Sequence, residues 1–396
     1  MYVVYDINVC MHKYDIIIVG AGAAGLSAAC AALARGRRVA VIDMGNAPAR
    51  KVRISGGGRC NFTNTAAGYG RYFGENPDFV RGALARVTPN DILQWVTMHK
   101  IPIEQKAPGQ YFTASGAAEI VNALVQDAAG ADVFYNHPAC DILHTADGFV
   151  VTTHDIKFAA QTVIIATGGM SYPNLGVSDF GLRVAKQFGH KIVPIRPALC
   201  SIRTDVFSGA LAGISTMCEI TIGRERIADS IMFTHRGLGG PAIYRATVRD
   251  LTHDMHINLV PGTDIMRIMR DAKHNAGCKS VATVLGKFMP TNLGRFFAPD
   301  GRNIADYRDS DLCEIARRVS DTIIPHNKII CAPISQAEVT RGGISTHDIN
   351  QQTMESRIVP HMYFAGEVMD VTGDLGGFNI HWALVTGRIA GDAAAG

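Results

Sequence analysis

The chain has 396 residues, of which 47% are hydrophobic, and its 38 lysines and arginines nearly balance its 35 aspartates and glutamates. This length suits two or three domains, and this hydrophobic content excludes a chain that is mainly disordered. A formal net charge of +3 without a block of like charge argues against a nucleic-acid-binding protein, so we expect no nucleic acid as a partner.

The chain has nine cysteines, which is an odd number, and it has no C-x-x-C pair and no H-E-x-x-H run. We therefore expect no disulfide scaffold and no metal site, and a reducing cytoplasm fits this composition. Residues 16–34 carry no charge and nearly reach the length of a membrane span, but alanine and glycine dominate them. The N-terminus lacks a signal-peptide pattern, and a start at Met11 would make residues 1–10 an upstream extension.

The first predicted elements form a β-α-β unit. Strands are predicted over 14–19 and 38–42, with a helix over 23–35 between them. The turn before the helix reads Gly20-x-Gly22-x-x-Gly25, and Asp43 closes the second strand. Gly20 permits the tight turn, Gly22 permits close approach of a pyrophosphate, and Gly25 permits close packing of helix on strand. Together with an acid that can bind a ribose hydroxyl, this pattern predicts a dinucleotide site.

The stretch "RKVRISGGGRCNFTN", residues 50–64, contains three consecutive glycines. Glycine loses much backbone freedom on ordering, so this run predicts neither a stable helix nor a central strand. It leaves room for a ligand to lie against the backbone.

The middle of the chain predicts further α/β structure. We expect a helix over 116–127 with Ser115 as its N-cap, and strands over 132–136, 141–144, 149–154 and 162–166. The character changes near Pro194 to alternating, antiparallel-type segments, and residues 264–324 read as helical and more charged. Near Gly342 the α/β pattern resumes, with a strand that ends at Gly366-Glu367 and a helix over 380–390. This order predicts a discontinuous first domain with an insertion.

The C-terminal part offers a second set of ligand-binding features. Glu367 lies at a strand end, and Gly376, Gly377 and Asn379 open the last helix. A ligand longer than NAD could use both ends, with the acid on ribityl hydroxyls and the helix N-terminus near flavin N1 and O2. This favours FAD over NAD.

Six segments, in order, carry a family resemblance: "YDIIIVGAGAAGLSAA", "RKVRISGGGRCNFTN", "IIATGGMSYPNLG", "FTHRGLGGPAI", "GGIS" and "MYFAGEVMDVTGDLGGFNIHWALVTGRIAG". The chain resembles the bacterial NAD(P)/FAD-dependent oxidoreductase family, also known as aminoacetone oxidase family FAD-binding enzymes, which includes a bile-acid-inducible flavoprotein. The resemblance implies an α/β, glutathione-reductase-type FAD domain over 11–193 and 337–396. It also implies an inserted domain over 194–336, with a β-barrel part over about 194–262 and 325–336 and a helical part over about 263–324.

The resemblance also implies which residues bind FAD. The ADP half is assigned to the fingerprint turn, to the end of the third core strand and to backbone near the adenine: Gly20, Gly22, Ala23, Ala24, Gly25, Asp43, Ala166, Thr167, Gly168 and Ala139 or Cys140. The glycine-rich loop is expected to lie along the flavin side of the cofactor, and it includes Gly57, Gly58, Arg59, Cys60 and Asn61. Arg50, Lys51 or Arg59 can offset the charge of the phosphates or of the reduced flavin. The ribityl chain and the ring are assigned to Gly366, Glu367, Gly377, Phe378, Asn379 and Ile380. This sequence departs from the family pattern at Phe378 and at His381, where tyrosine and glutamine are usual.

Two residues are candidates for catalysis. Cys60 is the cysteine inside a cofactor motif, although a buried packing role is favoured over a redox role. His235 is a candidate proton donor or acceptor, or a structural histidine. No second G-x-G-x-x-G occurs, so NAD(P)H would dock only transiently as an electron donor.

Four functions remain open from the sequence. The leading one is an FAD-dependent oxidoreductase that reduces an activated C=C or C=O bond of a small organic molecule with NAD(P)H. An amine oxidase that uses oxygen, a redox sensor and an RNA-modifying flavoprotein are the alternatives. The balanced charge argues against the last.

Overall fold

The computed structural model describes residues 11–396, which form two compact units. The first unit comprises residues 11–196 and 339–396, and the second comprises residues 197–338. The predicted boundaries, after residues 193 and 336, lie three and two residues earlier than these. Whether residues 1–10 are an upstream extension is a question that lies outside the described residues.

Residues 11–396 contain 21 strands and 12 α-helices. In chain order the strands are β1 (Met11–Val19), β2 (Val39–Ile42), β3 (Asn61–Asn64), β4 (Tyr72–Phe73), β5 (Ile103–Ala107), β6 (Gln110–Thr113), β7 (Asp132–Phe134), β8 (Asp141–Thr145), β9 (Gly148–Thr152), β10 (Lys157–Ile165), β11 (Ile192–Ala198), β12 (Ile202–Arg203), β13 (Ser215–Ile222), β14 (Glu225–Thr234), β15 (Gly237–Gly239), β16 (Met255–Asn258), β17 (Thr322–Ile324), β18 (Ile330–Cys331), β19 (Val339–Ile344), β20 (Met362–Phe364) and β21 (Thr372–Gly373). The α-helices are α1 (Ala23–Ala34), α2 (Arg50–Gly58), α3 (Val80–Arg86), α4 (Pro89–Met98), α5 (Ala118–Asp127), α6 (Phe180–Gln187), α7 (Pro241–Thr247), α8 (Ile265–Asn275), α9 (Val281–Leu285), α10 (Thr291–Phe297), α11 (Asp309–Ser320) and α12 (Phe378–Ala394).

The central sheet of the first unit has the order β7-β2-β1-β10, with β20 also on β10 and with β9 and β8 beyond. The pairs β7–β2, β2–β1, β1–β10 and β10–β20 are parallel, and the β10–β9 and β9–β8 pairs are antiparallel. Residues 16–19 of β1 are all buried, as expected of a parallel strand covered on both faces. This parallel order brings the carboxyl ends of β1, β2, β10 and β20 to one edge of the sheet, where α/β folds bind their ligands.

Helices α1 and α12 pack closely because small residues line their contact. A Cβ added at Gly387 would lie 2.2 Å from the carbonyl oxygen of Ala24, and one added at Gly391 would lie 2.2 Å from that of Ala28. Helix α12 therefore needs glycine at these two positions, where the backbone of α1 approaches it closely. The small residues of this contact explain the alanine-rich segment that resembles a membrane span in the sequence. Among residues 11–396, no helix has the length and apolar character needed to cross a bilayer.

The predicted N-cap at Ser115 is wrong. Helix α5 begins at Ala118, and its capping residue Ala117 makes no side-chain cap hydrogen bond. Gly116, at φ +139°, turns the chain between Ser115 and the helix, so the serine is too early to cap it.

The second unit is built on an antiparallel sheet of order β17-β16-β13-β14-β15-β12-β18, where the sequence predicts the β-barrel part. Ile220 of β13 lies opposite Ile227 of β14 and Ile257 of β16, and all three side chains are buried. Helices α8 to α11 occupy the predicted helical stretch, and they share one hydrophobic core with the sheet. The first unit has a separate core of its own.

Candidate functional site

The fingerprint turn has three glycines with different surroundings. Gly20 adopts φ +113°, and an added Cβ there would lie 2.3 Å from the carbonyl oxygen of Ala166. A Cβ on Gly25 would lie 1.8 Å from the carbonyl oxygen of Gly20. A Cβ on Gly22 would meet no atom within 4 Å. The protein's own packing thus requires Gly20 and Gly25, whereas Gly22 faces open space at the N-terminus of α1, beside the buried Ala23 and Ala24.

Asp43 holds the end of β2 in place. One carboxylate oxygen accepts a hydrogen bond from the backbone N–H of Ala21 (2.6 Å), and the other accepts one from Gly45 (2.6 Å). The guanidinium of Arg50 lies 3.4 Å from the second oxygen and 3.3 Å from the carbonyl oxygen of Gly176. A carboxylate has about four acceptor sites, so Asp43 keeps capacity for a ribose hydroxyl.

The end of β10 adds a second open position at the same edge. Ala166 is buried, and its N–H donates to the carbonyl oxygen of Val19 (2.8 Å). Thr167 follows, and Gly168 adopts φ +74° with no atom within 4 Å of an added Cβ. Open space therefore adjoins both turns.

The segment predicted to meet the adenine lies between β7 and β8. The N–H of Cys140 donates to the carbonyl oxygen of Thr152 (2.7 Å). The Cys140 N–H is therefore already used in a hydrogen bond within the protein. The backbone N–H of Ala139 has no hydrogen bond of this kind among the described residues. The adenine contact stays a prediction.

Lys51 and Glu367 form a partly buried ion pair, with Nζ 2.7 Å from Oε2. Lys51 also donates to the hydroxyl of Ser171 (2.7 Å), and the other oxygen of Glu367 accepts from the N–H of Thr340 (2.8 Å). Gly366, next to Glu367, donates its N–H to Thr386 Oγ1 (2.9 Å). Glu367, the acid predicted to bind the ribityl hydroxyls, is thus held by Lys51 of the stretch "RKVRISGGGRCNFTN".

The glycine-rich loop leaves helical geometry, as the sequence predicts. Within α2, Ser55 has ψ 149°, and Gly56 and Gly57 have φ of 57° and 66°. Added Cβ atoms at Gly57 and Gly58 would meet nothing within 4 Å. The loop therefore keeps open space beside its backbone.

Arg59 and Cys60 end this loop in different environments. The Arg59 guanidinium lies 3.6 Å from Glu104, and both side chains are about half exposed. Cys60 is fully buried, and burial raises the pKa of its thiol to about 12. A buried neutral thiol favours the packing role over a redox role.

The N-terminus of α12 lies against β3. The ring of His381 is fully buried, and its Nδ1 lies 2.9 Å from Thr63 Oγ1. Burial lowers the pKa of His381 to about 4, so the ring is neutral at physiological pH. Phe378 is also fully buried and meets Tyr72 edge-on, whereas the Asn379 side chain is bonded to Gly373 (2.8 and 3.0 Å). Asn379 and Ile380 can therefore offer a ligand their backbone N–H groups rather than the asparagine amide.

Buried amides surround this helix start. Asn64 donates to the carbonyl oxygen of Gly376 (2.8 Å), and Asn61 Nδ2 lies 3.3 Å from Gln110 Oε1. A Cβ on Gly377 would lie 2.6 Å from Asn61 Oδ1. Within residues 11–396, Asn61 Oδ1 and His381 Nε2 are buried with no hydrogen-bond partner. Such atoms cost about 1–3 kcal/mol each when left unpaired.

These features fit an extended FAD. One end of the sheet edge presents open glycine turns and a strand-end carboxylate, which suit a pyrophosphate and a ribose. The α12 end presents helix N–H groups and two unpaired buried polar atoms, which suit the polar edge of a flavin. Within the described residues, no group of three His, Cys, Asp or Glu side chains is arranged to hold a metal.

His235 lies in the second unit, exposed in the turn between β14 and β15. Its role as a proton donor or acceptor stays a prediction, because the residues predicted to bind FAD all belong to the first unit.

The sequence analysis missed several residues of this site. Thr63 and Asn64 lie in the stretch "RKVRISGGGRCNFTN" but were assigned no role. Ser171 lies within the quoted segment "IIATGGMSYPNLG" but was assigned no role. Gln110 and Thr340 lie outside the quoted segments, and each reaches the site through strand pairing or loop packing with residues far away in the chain.

Residues 14–393 match the family model described as HI0933-like protein Rossmann domain. A ribosomal RNA dihydrouridine synthase of Escherichia coli (strain K12) is 34% identical over 385 residues, which cover 94% of this chain and 96% of that protein. A 3-dehydro-bile acid delta(4,6)-reductase of Clostridium scindens is 26% identical over 96% of this chain and 98% of that protein.

Among solved structures, a 3-ketosteroid-delta4-(5alpha)-dehydrogenase from Rhodococcus jostii RHA1 matches with a TM-score of 0.50 and 12% identity, covering 97% of each chain. At this identity the match shows the fold alone.

Proposed function

Because this chain belongs to the HI0933-like Rossmann-domain family and is an FAD-dependent oxidoreductase, we propose that it reduces the C5=C6 bond of a uridine in ribosomal RNA to give dihydrouridine. The observation that carries the proposal is the 34% identity to the E. coli synthase over nearly the full length of both chains. The proposal departs from the sequence-based expectation that nucleic acid is not a partner.

The chemistry agrees with the predicted reaction type. The C5=C6 bond of uracil is conjugated with the C4 carbonyl, so it is an activated C=C bond. Its reduction adds a hydride at C6 and a proton at C5. FAD, when bound, supplies the hydride, and we propose NADPH or NADH as its transient donor.

In this scheme the residues of the chain bind and orient FAD. Asp43 and the turn at Gly22 hold the nucleotide half of FAD, and the Lys51–Glu367 pair sets the charge beside the ribityl chain. His381, neutral and bonded to Thr63, adds a buried hydrogen-bonding group without a positive charge. His235 is our candidate for the proton donor.

A small conjugated ketone is the second candidate substrate. The relative named 3-dehydro-bile acid delta(4,6)-reductase supports it, since that name describes reduction of double bonds in a 3-dehydro compound. The two candidates share the bond type and differ in the size of the molecule that carries it.

The test combines flavin and nucleoside measurements. Purified holoprotein is mixed anaerobically with NADPH or NADH, and bleaching of the flavin is followed. Unmodified ribosomal RNA transcript is then added, and its nucleosides are analysed by mass spectrometry for dihydrouridine. We expect bleaching, reoxidation by RNA and dihydrouridine that depends on bound FAD, with Gly22→Val as the flavin-free control.

Other outcomes would overturn the proposal in different ways. Reoxidation by a conjugated steroid ketone but not by RNA would favour the small-molecule reductase. Bleaching by an amine, with electrons passing to oxygen, would favour the oxidase.

A further inference from the structure

The charge of the whole chain is nearly balanced, but basic and acidic residues are concentrated in different segments of the second unit. Residues 265–299 contain six lysines and arginines and one acid, Asp271, for a net charge of +5. Residues 300–321 contain four arginines and six acids, for a net charge of −2. A cluster of basic residues on one segment is typical of a nucleic-acid-binding surface, and the net charge of the whole chain does not show it.

Helix α8 presents part of this positive charge on one face. Arg267, Arg270 and His274 are exposed and follow the i, i+3, i+7 spacing, which places them along one side of a helix. Ile265 and Met269 are buried and belong to the core of the second unit. Packing against the core therefore fixes which face of α8 is turned to solvent.

The arginines of this face are not neutralised by ion pairs. Among residues 11–396, no salt bridge involves Arg267 or Arg270. The acid at the start of α11, Asp309, is bonded to Lys273 (2.7 Å), and it senses Arg270 and His274 only through longer-range charge.

In the acidic segment, residues 300–321, two of the arginines form salt bridges. Arg302 is paired with Asp300 (2.6 Å) and Arg317 with Glu314 (2.8 Å). The two segments thus differ in the availability of their guanidinium groups as well as in net charge.

Two further exposed features lie in the same basic segment. Lys279 is exposed four residues after α8 ends. Phe288 is 39% exposed beside the exposed Lys287, in the connection between α9 and α10. Exposed aromatic rings next to cations are typical of surfaces on which single-stranded bases stack.

We propose that the α8 face, formed by Arg267, Arg270, His274 and Lys279, docks the sugar–phosphate backbone of the RNA substrate. This rests on the proposed function, and it assigns the partner to a surface outside the FAD-binding residues. From Arg267 to His274 the helix rises about 10 Å, which spans about three nucleotides at about 3.4 Å each along one strand. Contacts of this kind position the RNA and carry no sequence information.

The test compares two double variants of the full-length holoprotein. Arg267→Gln/Arg270→Gln removes two charges from the α8 face, and Arg302→Gln/Arg317→Gln removes two charges that are already paired. Flavin content and unfolding midpoint should match the wild type in both. Binding of the unmodified ribosomal RNA transcript is measured across a series of salt concentrations, and dihydrouridine formation is measured across RNA concentrations.

We expect the α8 variant to weaken RNA binding by roughly tenfold and to lower the salt slope by about two, one for each cation. The matched control should stay within about twofold of the wild type. At saturating RNA the rate of dihydrouridine formation should be unchanged, while KM rises, because the face contributes to docking and not to the reaction.

The outcomes separate this proposal from the proposed function. If the wild type forms dihydrouridine in RNA but both double variants bind RNA equally well, the α8 proposal is overturned and the function stands. If the wild type forms no dihydrouridine yet RNA binding depends on Arg267 and Arg270, the docking surface stands and the function fails. If the wild type does not bind RNA, the docking surface is overturned.

Discussion

The proposed FAD-binding edge of the first unit, at the carboxyl ends of β1, β2, β10 and β20, and the α8 face of the second unit use polar groups in opposite ways. At that edge most of the polar side chains are buried or partly buried, and several are bonded to residues more than 300 positions away, such as His381 to Thr63 and Glu367 to Lys51. On α8 the charged groups are exposed and have few partners. The comparison teaches that changes at the first region should alter folding and flavin retention together, whereas changes at the second should alter binding alone.

The largest effect should come from Gly25. An added Cβ would lie 1.8 Å from the carbonyl oxygen of Gly20, so Gly25→Ala forces backbone to move, and we expect a loss of about 4 kcal/mol or more in unfolding free energy. Denaturant unfolding of the apoprotein measures it, and FAD should also be lost.

Gly22→Ala is the matched control for that change. An added Cβ meets nothing within 4 Å, so we expect a stability change of at most about 1 kcal/mol with weaker FAD binding. Equal destabilisation by both substitutions would contradict the distinction between a packing glycine and a ligand-facing glycine.

The next effect concerns pH. The pKa of His381 is about 4 in the folded protein and about 6.5 in the unfolded chain, so the unfolded chain binds a proton first as pH falls. Stability contributed by the neutral ring is complete above pH 6.5 and is lost between pH 6.5 and pH 4, by up to about 3 kcal/mol.

His381→Gln should flatten this pH dependence. Denaturant unfolding of the apoprotein at several pH values tests it, and the remaining slope should include buried His190, whose pKa is also lowered by burial. Parallel curves for wild type and variant would show that His381 does not resist protonation in the fold.

A smaller effect is expected at the Lys51–Glu367 pair. Its two side chains are 28% and 18% exposed, so we expect a coupling free energy of about 1–2 kcal/mol in a Lys51→Met/Glu367→Gln double-mutant cycle. The Lys191–Glu75 pair has the same 2.7 Å separation but is 62% and 42% exposed, and it should give less than about 0.5 kcal/mol. Equal coupling in the two cycles would mean that burial does not strengthen the first pair.

The smallest effect on stability should come from α8. Arg267→Gln/Arg270→Gln changes exposed side chains without salt bridges among the described residues, so we expect a change within about 0.5 kcal/mol. A larger loss, measured by denaturant unfolding, would mean that this face supports the fold and would blur the contrast between the two regions.

The geometry of the turn between β1 and α1 and of the end of β2 could be predicted from the sequence because its signals are local. Gly20, Gly22, Gly25 and Asp43 lie within 24 residues of one another. Gly20 and Gly25 are required by the packing of the turn itself, and Gly22 and Asp43 have the spacing typical of a dinucleotide-binding β-α-β unit. The predicted fold class and the family are confirmed by the match over residues 14–393. The strand and helix pattern also predicted the insertion between two halves of one unit.

The tertiary structure alone decided which distant residues meet. Side-chain periodicity tells which face of a strand or helix is apolar, but the pairing of Lys51 with Glu367 and of Thr63 with His381 depends on how helices and strands pack across more than 300 residues. The separation of charge is written in the sequence, yet only packing of Ile265 and Met269 into the core decides that Arg267 and Arg270 face solvent. Composition averages charge over the whole chain, whereas a binding partner meets only the face that the core leaves exposed.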